Sequence, residues 1–202
     1  MTVSAPIRSA DVDALQELAS IGCGQALSAL GRLLDRRIDM DVTEAWVGQR
    51  PGAIADFLGA LGMDLVAVAV RLEGLLDGQL VLALAEPDAG RLAAGLGYPV
   101  RAEEPWGQLA ESALMESGNI VGSAFVSAIA RLVNRTLLLS VPRLARGGGR
   151  SCMDALVDRD VGTVALATRF SCQGPPAPLE GLILVMPEPA RVGRLVASLQ
   201  AV

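Results

Sequence analysis

The stretch SALMESGNIVGSAFVSAIARLVNRTLLLSVP, residues 112–142, is written twice in this chain. Moved back by 99 positions it lies on DALQELASIGCGQALSALGRLLDRRIDMDVT, residues 13–43. Ten of the 31 positions are identical: Ala14, Leu15, Glu17, Ile21, Ser28, Ala29, Arg32, Leu33, Arg36 and Val42. A second echo follows in the same order. LDGQLVLALAEPDAGRL (76–92) resembles LEGLILVMPEPARVGRL (179–195), offset by about 103. A repeat of this length that keeps its element order is a duplicated supersecondary unit.

Each half reads the same way. A long amphipathic helix, roughly 10–35 and 106–134, comes first; Pro105 suits the first turn of the second one, where its missing N–H costs little. A strand follows (37–47 and 136–144), then a short helix (52–61 and 151–158). Next comes a strand pair, DLVAVAVRLEG with GQLVLALAE and GTVALATRFSC with LEGLILVMP, the first joined by a short turn that suits an antiparallel hairpin. A last helix closes each half (87–97 and 188–200), and YPVRAEEP (98–105) reads as the junction. The run Gly147–Gly149 reads as a flexible loop. Six strands and six helices in two equivalent halves predict an α+β or mixed α/β fold, with helices covering strands that are apolar on one or both faces.

On a helical wheel, Ser112, Glu116, Asn119, Ser123, Ser127 and Asn134 fall on one side of the second long helix. Leu114, Val121, Phe125, Ala128 and Leu132 fall opposite and form the face to be buried. Solvated helix faces prefer long charged residues. This one carries a single charge, with Gly118 and Gly122 alongside, so it is a low surface that another protein can approach closely. The first helix repeats the stripe as Asp13, Glu17, Ser20, Gly24, Ser28 and Asp35, opposite Leu15, Gly22, Ala26, Ala29 and Leu33. Glu17 stands where Glu116 does, but Asn119 becomes Ser20 and Pro142 becomes Thr43.

Composition removes several chemistries. The chain of 202 residues has no histidine, so imidazole acid–base catalysis and histidine–metal sites are out. Cys23, Cys152 and Cys172 are scattered, without a CxxC pair, and read as buried free thiols rather than a zinc site. A net charge of −5 argues against nucleic acid as a partner. The N-terminal sequence lacks the pattern of a signal peptide, and no uncharged apolar run approaches the ~18 residues of a membrane span. A cytoplasmic protein with no membrane partner is expected.

The order Ser112, three residues, Glu116, two residues, Asn119, twenty-two residues, Pro142 resembles the signature of the CheC/CheX family of chemotaxis phosphatases. The duplicated plan resembles that family over nearly the whole chain. The resemblance implies one CheC-like domain, 1–202, of two intertwined repeats (about 9–97 and 105–201), its sheet packed with long amphipathic helices. It implies a phosphatase acting on the aspartyl phosphate of a CheY-like response regulator. Asn119 would enter the regulator's active site and hold the attacking water, and Glu116 would pair with the regulator's lysine. Ser112 and Pro142 would support that geometry. No cofactor of its own is implied, since the regulator supplies Mg²⁺. Asp13, Glu17 and Ser20 would form a degenerate first site, because a serine hydroxyl cannot reach as far as an amide or donate and accept in the same planar geometry. Family members of the CheC type also bind CheD-type deamidases, and the helix around Cys152–Asp158 is the region to test for such a partner. The competing reading is a non-catalytic adaptor that uses the same stripe to dock a regulator or a CheD-type protein, as a flagellar-switch component would. The fold alone does not decide between the two.

Overall fold

The computed structural model describes residues 9–47, 54, 56, 58, 63–98, 106–157, 164–175 and 177–199. In chain order the elements are α1 (Ser9–Leu34), β1 (Asp39–Met40), β2 (Glu44–Val47), β3 (Asp64–Glu73), β4 (Gly78–Ala85), α2 (Glu86–Gly95), α3 (Gln108–Val133), β5 (Leu138–Leu139), β6 (Arg143–Gly148), α4 (Gly149–Leu156), β7 (Val164–Cys172), β8 (Leu179–Pro187) and α5 (Pro189–Leu199). The architecture is α+β. Ile54, Asp56 and Leu58 are helical; the rest of the helix expected at 52–61 lies outside the described residues, as do positions 99–105 of the junction.

Two corrections concern the long helices. Helix α3 starts at Gln108 with Gly107 as its N-cap, two residues later than expected, and Pro105 lies outside the described residues. Asp35 and Asn134 do not extend the polar stripes. Both adopt left-handed backbone, with φ of 52° and 48°, and they stop α1 and α3 at equivalent positions. The amide of the next residue then turns back, Arg36 to the Gly31 carbonyl (2.9 Å) and Arg135 to the Ala130 carbonyl (3.1 Å). Asp and Asn tolerate this conformation better than other residues with a Cβ, so the repeat keeps the punctuation along with the helix.

Every pairing among the described strands is antiparallel, in the order β1-β7-β8-β4-β3-β5, with β2 also on β7 and β6 also on β3. At the centre Val81 faces Leu184, while Leu80 faces Val185 and Leu82 faces Ile183. Val81 and Leu184 are the same position of the two repeats, so a pseudo-twofold axis passes through that pair. The outer strands cross over between repeats: β2 of the first half pairs with β7 of the second, and β6 of the second with β3 of the first. The strands expected at 37–47 and 136–144 are each broken, at 41–43 and 140–142, where Thr43 and Pro142 stand. Strand β6 runs on through Gly148 and α4 begins at Gly149, so the glycine run is a strand-to-helix corner rather than a loop. A Cβ at Gly149 would lie 2.5 Å from the Leu58 backbone, which explains the glycine.

The sheet is buried on both faces. Val66, Val68, Val70, Leu72, Leu80, Leu82, Leu84, Leu166, Ile183 and Val185 point into a core shared with α1, α2, α3 and α5. Their alternates, among them Leu65, Ala67, Ala69, Val81, Ala83, Ala165, Ala167 and Leu184, meet Cys152, Met153 and Leu156 of α4 with Ile54 and Leu58. Helices α1 and α3 lie side by side on the first face. A Cβ at Gly22 would sit 2.4 Å from the Phe125 ring, and one at Gly118 2.4 Å from Val68, so glycines set how closely α3 approaches both α1 and β3. Leu33, expected on the buried side of α1, is 38% exposed. By length and composition α3 is apolar enough to cross a bilayer, but half of its most apolar window is buried against this core, as in the core helix of a globular protein.

Candidate functional site

The polar stripe of α3 faces outward. Ser112, Glu116, Ser123 and Ser127 are exposed and Asn119 is half-exposed, while Leu114, Val121, Phe125 and Ala128 are buried. Leu132 is half-buried. Gly118 and Gly122, expected alongside this stripe, are instead buried against Val68 and Val70 of β3, so they do not shape the outward face; Ser117 is buried too, its hydroxyl spent on the Ala113 carbonyl four residues back (2.9 Å). Glu116 and Asn119 therefore project together, one helical turn apart. Among the described residues neither has a side-chain hydrogen bond or ion pair within the protein. Pro142 lies half-buried in the gap between β5 and β6, beside Val141, which is 80% exposed.

The first half differs at the same places. Asp13 and Glu17 are exposed, as Ser112 and Glu116 are. Ser20, by contrast, donates its hydroxyl to Thr43 Oγ1 at 3.0 Å. Thr43 is buried and shares a 2.8 Å hydrogen bond with Thr168 Oγ1, 125 residues away. The Gln16 side chain adds a 3.0 Å bond to the Thr43 carbonyl. These links tie α1 to the break between β1 and β2. Sequence reading placed Ser20 and Thr43 as substituted positions, but it gave no sign that they bond to each other or to Thr168.

Glu116 and Asn119 line none of the clefts of ≈ 380, 650 and 480 Å³ among the described residues, although Ser127 and Asn134 edge the last of these. The first cleft, on the other side of the sheet, is lined by residues that include Asp41, Asp88, Arg169 and Glu180, and none of the stripe residues reaches it. Among the described residues no group of acids, cysteines or histidines has the makings of a metal site. An exposed acid and a half-exposed amide on an outward helix face cannot enclose a small substrate. They can enter a cavity supplied by another protein.

Comparison with known proteins bears on which protein that is. Residues 109–146 match a family model described as the CheC-like family. Over 148 residues the chain is 31% identical to the CheY-P phosphatase CheC of Bacillus subtilis strain 168, covering 72% of this chain and 70% of that protein. The chain belongs to the CheC-like family. Its fold is similar to that of FliY from Thermotoga maritima (TM-score 0.73, 15% identity, 100% of this chain and 99% of that one). It is also similar to the chain in the CheX–CheY–BeF3–Mg²⁺ complex from Borrelia burgdorferi (TM-score 0.54, 19% identity, 84% of this chain and 97% of that one).

Within this CheC-like chain a second cluster, which sequence reading missed, pins the start of α3. Trp106 Nε1 donates to Glu86 Oε1 at 2.8 Å, and Arg146 reaches the same oxygen at 2.7 Å. The Arg146 guanidinium also lies 4.9 Å over the Trp106 ring and 3.8 Å from Glu111. The Arg146 bond, then that of Trp106, holds the Glu86 carboxyl below its usual range. One arginine so joins β6, the head of α2 and the first turn of α3. No spacing rule relates residues 86, 106 and 146, so nothing in the linear pattern pointed to it.

The three cysteines are free and buried, as read from the sequence. Burial pushes the Cys23 thiol up to about 11, with a hydrogen bond from Thr168 opposing, and raises Cys152 and Cys172 as well. The folded protein therefore holds the Cys23 proton more tightly than the unfolded chain, whose thiols titrate near about 8.5. This contribution to stability is complete below that pH and is lost as pH rises through about 11. We expect no rapid labelling by a thiol reagent at pH 8 in buffer and three labelled thiols in denaturant, counted by mass. The melting temperature should fall between pH 9 and 11, and less steeply in Cys23→Ala. Rapid labelling of the native protein would show that the thiols are accessible.

Proposed function

We propose that this protein is a phosphatase that hydrolyses the aspartyl phosphate of a CheY-like response regulator in chemotaxis or related two-component signalling. The observation that carries the reading is the pair of side chains without a partner among the described residues, Glu116 and Asn119, on the one outward stripe that keeps the Ser112–Glu116–Asn119–Pro142 spacing. Membership of the CheC-like family and the relative named CheY-P phosphatase CheC support it.

The chemistry asks little of this chain. The regulator brings the phosphorylated aspartate, its lysine and its Mg²⁺. Asn119 enters that site and holds a water in line with the phosphorus, much as a glutamine orients water in GTPases. Glu116 pairs with the regulator's lysine and fixes the angle of approach. Ser112 extends the docking face, and Pro142 shapes the strand break beside it. The second half carries the activity, and the stripe of Asp13, Glu17 and Ser20 does not. The reaction takes place in the cytoplasm. A CheD-type deamidase is a second partner, for which the outward side of α4, with Arg150, Ser151 and Asp154 exposed, is the surface to test.

The test is phosphate loss from a phosphorylated receiver protein, followed with and without the chain. Acceleration that depends on Asn119 supports the proposal. Binding without acceleration would replace it with the adaptor reading.

A further inference from the structure

We infer that the two halves differ in competence because of the ground beneath the stripe, not just the residue at its centre, an inference that rests on the phosphatase reading above. The sheet registers identify the equivalent positions. Val68 faces Leu82 and Leu166 faces Val185, and Leu82 and Val185 are the same position of the two repeats. Two residues further along, Val70 therefore stands where Thr168 does. The contacts agree: Thr168 bonds to Cys23, and Val70 lies under Gly122, the repeat counterpart of Cys23, 2.9 Å from where its Cβ would be.

The first half thus supports its stripe with Gln16, Thr43 and Thr168, and the second with Met115, Pro142 and Val70. The first set is a continuous line of donors and acceptors that captures Ser20. The second has no side-chain group able to hydrogen-bond strongly, so it leaves the Asn119 amide free for a partner. Pro142 and Val70 are positioning residues that act by withholding hydrogen bonds. Thr43 and Thr168 hold the first site off. An asparagine placed at position 20 would meet the same Thr43 hydroxyl and be retained inside the molecule.

Two sets of variants test this. In the Asn119→Ala background, Ser20→Asn alone should stay at the background rate of phosphate release. Adding Thr43→Val and Thr168→Val should raise it at least tenfold, since valine keeps threonine's shape without its hydroxyl. Equal rates with and without the two valines would overturn the inference. In the second half, Val70→Thr with Pro142→Thr should turn over at least tenfold more slowly than Pro142→Val, with KM for the phosphorylated receiver unchanged because the docking face is intact. A further readout needs no activity. Hydrogen exchange of the Asn119 carboxamide, followed by NMR, should run at the rate of a free amide in the native protein. It should slow at least tenfold in Val70→Thr/Pro142→Thr, and an unchanged exchange rate would count against the tether. Absence of any acceleration by the wild type would overturn the phosphatase reading, and the exchange experiment would still decide the tether.

Discussion

Asn119→Ala lowers the rate of phosphate release from a phosphorylated receiver by about 100-fold or more, while the variant folds and binds as the native protein does. The size follows from the role. Removing one preorganised group from a site that works by positioning and electrostatics costs about 10²–10³ in turnover. The side chain is half-exposed and has no intramolecular partner among the described residues, so truncating it leaves no buried group unsatisfied. The loss should therefore lie in turnover, not in melting temperature. Glu116→Ala should cost about tenfold or more and act partly through KM, because a charge pair formed across an interface sets docking as well as alignment. Single-turnover decay of labelled receiver, with thermal melts alongside, separates these effects. Native rates in Asn119→Ala would assign the activity elsewhere.

Gly118→Val should destabilise the protein by about 3 kcal/mol, the upper end of what overpacking a core usually costs. Without a side chain, α3 sits so close to β3 that a Cβ at Gly118 would be 2.4 Å from Val68 Cγ1 and 3.0 Å from its Cβ. Both atoms belong to a short, β-branched, buried side chain that cannot swing away, so the helix has to lift. For a domain of this size that is a fall in melting temperature of about 6–12 °C. Asn119 is the next residue, so lifting α3 also moves the amide, and phosphate release should fall further than stability alone explains. Gly90 in α2 is the control. Nothing lies within 4 Å of a Cβ there, and Gly90→Ala should raise stability by up to about 1 kcal/mol by removing a helical glycine. Equal melting temperatures for native protein and Gly118→Val would mean that the sheet is not the close neighbour of this helix.

Much of the site was legible before any coordinates. The repeat aligned Glu17 with Glu116 and exposed the change from Asn119 to Ser20. The 3.6-residue period assigned the outward stripe of α3, because a helix that must bury Leu114, Val121 and Phe125 has no other way to turn. Where the linear reading failed, the cause was a local signal overruled by its surroundings. Asp35 and Asn134 fall on the polar side of the wheel, but their backbone is what ends the helix. Gly147–Gly149 has the composition of a loop, but pairing with β3 and the close approach of Leu58 make it a strand end and a helix start.

The sequence by itself determined the duplication, the helix faces and the spacing of the Ser112–Glu116–Asn119–Pro142 motif, because these depend on residues a few turns apart or on one half compared with the other. Only the tertiary structure decided which strands pair across the repeats, and hence that Thr168 lies beneath Thr43 and Ser20 while Val70 lies beneath the other helix. Strand partners are chosen by the burial of two whole faces and hydroxyl partners by distances of about 3 Å. A contact between residues 43 and 168 leaves no period or spacing along the chain from which to read it.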